Sequence, residues 1–404
     1  MRYLLIYLVL IIFCNIGFSL DSTSVVIENK KLIEEGNYAS ANEQLKNAVQ
    51  ELGFQPYLIC LMVQNALENY ISHNNFISFY LINSFPHSSK NQIDNKELKN
   101  VSYLRSPDQL LRKILNQYPD HAPAYKLMGD FYKLIYIHPL HATFEENNYD
   151  KLEEKIFFNY SKAVQLKYSD VEICGWVGDY YFKRNQTKLA KEFYLKNVEK
   201  NFNDTSTFFN LAKIYFQEKQ FSKSYDFAMK ALPGIPLFQI SDKHEATKIA
   251  ALSLLYFGEE ERFLKYINKC IQLLPDEQSC YLSLLKYYDE KQNVDEMEKV
   301  IFQMLGHNPY DLEGFNYVEN FIIKYNRFLL GEKLFENIIL KYENIDQVMG
   351  NAYLFRGNLF FNQGMPEEAK KMWEISKNYF GKYLPENDPI FKGIGQISNK
   401  SSMK

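Results

Sequence analysis

Between Thr205 and Pro236 the apolar positions fall at Phe208, Leu211, Ala212 and Tyr215, then at Ala228 and Ala231 after Ser224, with polar residues between them. Steps of three and four residues put each set on one face of a helix. The polar break around Lys219–Phe221 reads as a turn, and Pro236 stops the second helix. The spacing therefore predicts an amphipathic hairpin, a unit that cannot bury its own apolar face. The same marks recur. Gly178 and Tyr181 stand 34 residues before Ala212 and Tyr215, and Pro275 and Pro309 are again 34 apart. Pro236 and Pro275 are 39 apart, so a short insertion lies between them.

Laid against the pattern W-x2-L-G-x2-Y…A-x3-F…P, the Thr205–Pro236 stretch resembles a tetratricopeptide repeat (TPR). Gly178, Tyr181, Ala190 and Tyr194 match in the preceding hairpin; Ala251, Gly258, Phe263 and Cys270 fall in a following one. The next holds Tyr281, Leu284, Leu285, Tyr288, Met297 and Ile301. Tyr353, Gly357, Phe360, Gly364, Ala369 and Trp373 make the last. The hairpin from Leu312, with Phe315, Val318, Phe328 and Phe335, departs from the pattern at Glu319 and Gly331, so looser packing is expected there. The resemblance covers roughly two thirds of the chain and implies an all-α solenoid of stacked antiparallel hairpins, a TPR-like superhelix.

The ends are less regular. Met1–Ser19 has a basic Arg2, an apolar run Tyr3–Phe13 and small residues at Gly17 and Ser19, the pattern of an export signal. Cleavage after Ser19 is the first expectation; an uncleaved anchor and lipid attachment at Cys14 are its rivals. Residues 20–85 read as two degenerate hairpins, the second from Tyr57–Ile71 and Phe76–Phe85. Residues 86–105, rich in Ser, Asn and Lys, read as a linker. Ser106-Pro107-Asp108 then opens a TPR-like array over 106–383, with an inserted loop at Tyr136–Asn148, and 384–404 reads as a tail.

Composition adds limits. Of 404 residues 46% are hydrophobic and 24% charged, a balance found in ordered chains, and the net charge of -3 gives no basic footprint for nucleic acid. The 31 Tyr and 31 Phe suit the large holes between interleaved helices. The five cysteines form no C-x-x-C pair. Cys270 and Cys280 fall on neighbouring helices of adjacent hairpins, where a disulfide is conceivable, but a role as small buried apolar residues is the expectation.

No G-x-S-x-G, H-E-x-x-H or G-x-x-x-x-G-K-[ST] motif occurs, so no catalytic residue, cofactor site or metal site is predicted. His138 and His141 flank Pro139-Leu140 in the inserted loop without a third ligand nearby, and the paired glycines Gly393 and Gly395 lack a phosphate-loop context. The resemblance implies binding instead, along the first helices of the hairpins. The residues there are Asp179, Phe182, Asn210, Lys213, Phe216, Leu255, Lys286, Asn320, Ile323, Asn358 and Phe361. Aromatic and apolar side chains beside amide and lysine donors suit an extended peptide. The competing view is that these aromatics simply cover neighbouring helices. Asn210 and Lys213 alone are too little of a carboxylate clamp to predict that activity. The chain thus reads as a non-enzymatic protein–protein interaction scaffold, exported to a cell envelope or periplasm if bacterial and secreted otherwise. Its partner is a protein or peptide, with no nucleic acid and with membrane contact only through the N-terminal segment. The alternative is a helical-repeat RNA binder of the pentatricopeptide class.

Overall fold

The computed structural model describes residues 20–83, 101–138, 149–168, 170–200 and 204–401. The export signal with Cys14, the body of the inserted loop with His141, and most of the expected linker lie outside these residues. The described chain is helical apart from one small sheet, and it divides into two compact units, residues 1–203 and 204–404. The observed division falls inside the array expected over 106–383.

In the first unit, α1 (Leu20–Glu34), α2 (Tyr38–Leu52) and α3 (Pro56–Asn69) precede a three-stranded antiparallel sheet. Its strands are β1 (Ser72–Asn74), β2 (Ser78–Ile82) and β3 (Val101–Arg105). Phe79 pairs with Leu104 and Tyr80 with Tyr103. This corrects the reading of Phe76–Phe85 as a helix and of residues 101–105 as linker. The physical reason is a period of two: Phe79, Leu81, Ser102 and Leu104 are buried while their neighbours are not. Asn42 on α2 donates to Ser102 Oγ at 2.7 Å, tying the helix to the sheet. Then come α4 (Pro107–Gln117), α5 (Ala122–Ile137), α6 (Tyr149–Gln165), α7 (Val171–Lys183) and α8 (Thr187–Glu199).

The second unit is helical throughout its described residues. It runs α9 (Thr205–Gln217), α10 (Phe221–Ala231), α11 (Ile240–Tyr256), α12 (Glu260–Leu273), α13 (Ser279–Glu290) and α14 (Val294–His307). It ends with α15 (Leu312–Lys324), α16 (Phe328–Lys341), α17 (Asp346–Asn362), α18 (Pro366–Phe380) and α19 (Pro389–Ser401). The last helix corrects the reading of 384–404 as a tail: Ile394 is buried against the cluster of Trp373 and Phe380.

One turn is used over and over. The hairpins α1–α2, α7–α8, α9–α10, α11–α12, α13–α14, α15–α16 and α17–α18 each place a left-handed residue two past the end of the first helix. These residues are Gly36, Asn185, Lys219, Gly258, Gln292, Asn326 and Gly364. At Asn185 its N–H donates to Phe182 O at 3.0 Å, and the next N–H, of Gln186, donates to Tyr181 O at 2.9 Å. The same pair of bonds recurs at Lys219/Gln220 and at Gly364/Met365. This Schellman arrangement satisfies the last carbonyls of the first helix and aims the chain back along it. Asp170, Asp204 and Asn293 cap the first turns of α7, α9 and α14 through backbone N–H groups.

Between the paired helices a small residue faces a large one. A Cβ built on Gly178 would lie 2.5 Å from a ring carbon of Tyr194, and one on Gly357 2.5 Å from the Trp373 indole. Only glycine lets these rings seat. In α9–α10 both helices carry small residues instead: Ala212 and Ala228 are fully buried, and Ser224 Oγ donates to Ala212 O at 2.9 Å. The hairpin expected to pack loosely is closed: Phe315, Val318 and Phe335 are fully buried, and Phe315 stacks on Phe335 at 5.9 Å. There the small residue has moved to the second helix, where Gly331 admits Leu359 and Ile322.

Candidate functional site

The expected groove residues divide between the units: Asp179 and Phe182 belong to the first, Asn210 to Phe361 to the second. Each set is placed by the turn just described. Phe182, Phe216, Leu255, Ile323 and Phe361 hold the same station, three residues before the left-handed one, where the helix is winding down.

The polar members one turn earlier do two kinds of work. Asp179 accepts a 2.6 Å hydrogen bond from Tyr194 Oη, and Asn358 Oδ1 accepts one of 3.0 Å from Trp373 Nε1. Asp130 does the same for Tyr160 at 2.9 Å. Each of these acceptors directly follows the glycine on which the ring lies, so glycine plus acceptor forms a socket for a large ring with a polar tip. Asn358 also donates to Glu319 at 3.0 Å, and burial pushes the Glu319 carboxyl up from its ordinary range. Lys213 stands where the socket acceptor would be; it pairs with Glu245 at 3.1 Å and lies 4.0 Å over the Phe209 ring. Lys286 and Asn320 are exposed.

The apolar members are also of two kinds. Phe216 leans on Phe221 at 5.5 Å and on Tyr256 at 6.1 Å, and Phe361 on Trp373 at 5.8 Å. Leu255 is half-buried in the unit's main core. Ile323 is 38% exposed. The second unit thus brings Phe216 into an aromatic cluster whose outer ring, Tyr256, is 55% exposed, and leaves Ile323, Lys286 and Asn320 open to solvent.

A concavity that the sequence reading missed lies in the first unit between α4, α5 and α6. Its volume is about 760 Å³, and Arg112, Tyr125, Tyr132, Lys151, Lys155 and Phe158 are among its walls. Arg112 donates to Tyr132 Oη at 2.8 Å, and Lys155 sits 5.2 Å over the same ring. None of the expected groove residues lines it. The signal available was Arg112, Tyr125 and Lys155 on successive helices, but only the fold shows that they converge.

Cys60 and Cys174 are buried, and burial pushes both thiols up from their usual values. They behave as packing residues and not as nucleophiles. Contrary to expectation, Cys270 on α12 and Cys280 on α13 are joined by a disulfide, with Cα atoms 6.4 Å apart. The reason is geometric: consecutive hairpins bring the end of one helix against the start of the next, where both side chains face the same interior. No helix among the described residues is long and apolar enough to cross a membrane.

The antiparallel hairpins, with their common turn and glycine-against-ring pairs, make this an all-α helical-repeat fold, the architecture that the tetratricopeptide resemblance implies. No family profile and no curated protein matches the chain. Several solved structures are similar in fold. YrrB, described as a TPR protein with an unusual peptide-binding site, is 19% identical, with a TM-score of 0.33 over 44% of this chain and 81% of its own. A tetratricopeptide repeat protein from Parabacteroides merdae is 12% identical, with a TM-score of 0.38 over 68% of this chain and 98% of its own. The Naa15/Naa10 structure bound to HypK-THB is 11% identical, with a TM-score of 0.47 over 90% of this chain and 52% of the matched one. Likeness at this level concerns fold alone.

Proposed function

We propose that the chain is a non-enzymatic interaction scaffold, exported to the cell envelope or periplasm, that holds a protein or peptide against the first helices of its second unit. One observation carries the binding half: Ile323, Lys286, Asn320 and the Phe216–Tyr256 cluster offer apolar surface beside polar donors at equivalent stations of the hairpins. An extended segment uses such a surface by placing alternate side chains on the apolar residues while amides meet its backbone. The export half rests on the basic, apolar and small-residue order of Met1–Ser19.

Phe216→Ala combined with Ile323→Asp should weaken capture of a peptide selected on the wild-type protein by about tenfold or more, the loss of one central apolar anchor. Unchanged affinity in both substitutions would remove the groove. If selection instead returned RNA, with affinity falling steeply with salt, the alternative helical-repeat class would stand. For export, N-terminal mass spectrometry of fractionated cells should find a mature protein beginning at Leu20. A retained Met1 would point to an anchor, and an acylated Cys14 to a lipoprotein.

A further inference from the structure

We propose that His244, Cys270 and Cys280 form a redox-gated site for a soft monovalent metal, Cu(I): a disulfide when oxidised and a three-ligand metal site when reduced. The three residues come from three successive helices, α11, α12 and α13, and meet in the interior of the second unit. Cys270 and Cys280 are wholly buried and His244 is 4% exposed. Their ligand atoms all lie within 4.8 Å of one another. His244 Nε2 is 3.4 Å from Cys280 Sγ. Ligand atoms about 2.0–2.3 Å from a shared metal, at angles between tetrahedral and trigonal, sit roughly 3.5–4 Å apart. The imidazole is therefore already at the distance of a co-ligand. In the disulfide form it serves only as a weak hydrogen-bond partner of Cys280 Sγ.

The sulfurs must part to a nonbonded distance, and with Cα atoms 6.4 Å apart side-chain rotation supplies this without moving the helices. Two thiolates and an imidazole are soft and borderline donors, the set that selects Cu(I) or zinc. Zinc in a buried site asks for a fourth ligand. No fourth His, Cys, Asp or Glu joins the group among the described residues. Cu(I) is satisfied by three, and both cysteines belong to the buried apolar core of the second unit.

The gating step balances as follows. A phosphine attacks one sulfur, the S–S bond breaks, and water releases the phosphine as its oxide. Two electrons have then passed to the sulfurs, which leave as two thiols carrying water's two protons. Cu(I) binding displaces those protons to solvent.

The full-length chain, reduced with a phosphine under anaerobic conditions and desalted, is titrated with Cu(I) against a colorimetric chelator. One Cu(I) per chain is expected, with none bound by the oxidised protein. Cys270→Ser with Cys280→Ser should abolish binding, and His244→Ala should weaken it by at least about tenfold. No uptake by the reduced wild type, uptake surviving in the double serine variant, or affinity unchanged in His244→Ala would each overturn the site. X-ray absorption on the wild type needs no variant to fold: two sulfur and one nitrogen scatterer support the assignment, and a shell of sulfur alone refutes it.

Discussion

Lys126→Met is expected to remove about 3–5 kcal/mol of stability at neutral pH, the usual result of stripping the partner from a buried charge. Lys126 Nζ lies 2.6 Å from Asp130 Oδ2 on α5, with side-chain exposures of 14% and 20%. The other carboxylate oxygen accepts from Tyr160 Oη, so both lone-pair faces of Asp130 are engaged. Burial already pushes the Asp130 carboxyl above its ordinary range, with Lys126 working against that push; the carboxylate in turn holds the Lys126 ammonium charged. Without the ammonium the carboxyl rises further. A carboxyl whose folded pKa exceeds its unfolded value binds more protons in the native state, so stability falls as pH rises through that window. The deficit of Lys126→Met should therefore be complete at neutral pH. It should shrink as the medium is acidified from Asp130's raised folded value toward the unfolded carboxylate value of about 4. Adding Asp130→Asn, which keeps an acceptor for Tyr160, should restore most of the loss. Urea unfolding across pH reads all three results. A pH-independent deficit would show that the methionine harms packing and not charge balance.

Gly178→Ala should destabilise the first unit by about 1–3 kcal/mol, the range for overpacking a filled core, although alanine in an exposed helix gains about 1 kcal/mol over glycine. The added methyl group would meet the Tyr194 ring at 2.5 Å. The ring is fully buried, and its hydroxyl is held by Asp179 at 2.6 Å, so it cannot swing aside. The sign of the substitution should depend on that ring. In a Tyr194→Ala background the obstruction is gone, and Gly178→Ala becomes neutral or stabilising by up to about 1 kcal/mol. A double-mutant cycle measured by denaturant midpoints gives the coupling. Gly178→Ala at wild-type stability would mean the socket does not constrain the hairpin.

Much of this fold was legible because its logic repeats. Gly178 and Ala212 stand 34 residues apart, Gly178 precedes Tyr194 by the same 16 residues by which Gly357 precedes Trp373, and a helix period carries that signal over long distances. The sheet was harder. Phe79 and Leu81 alternate over only five residues, and their partner Leu104 lies far along the chain; short apolar runs do not separate strand from helix. The candidate site was half legible. Periodicity placed Asp179 and Asn358 near the ends of first helices, but it does not tell an acceptor turned toward Tyr194 or Trp373 from one turned outward. Lys286, Asn320 and Ile323 stand at the surface. The disulfide was conceivable but undecided for a related reason: a separation of ten between Cys270 and Cys280 allows contact or distance, and only the angle between hairpins decides.

Helix α19 has a consequence for assembly. A stack of hairpins that ended at α18 would leave the flank of Trp373 and Phe380 bare, a surface shaped by the fold to accept one more hairpin. A second molecule could dock there, and a third on the second, which is how head-to-tail contacts grow into filaments. Ile394, with Ile390 and Phe391 beside it, occupies that flank from within the same chain. Covering that flank from within the chain removes an apolar face on which a further hairpin would otherwise stack.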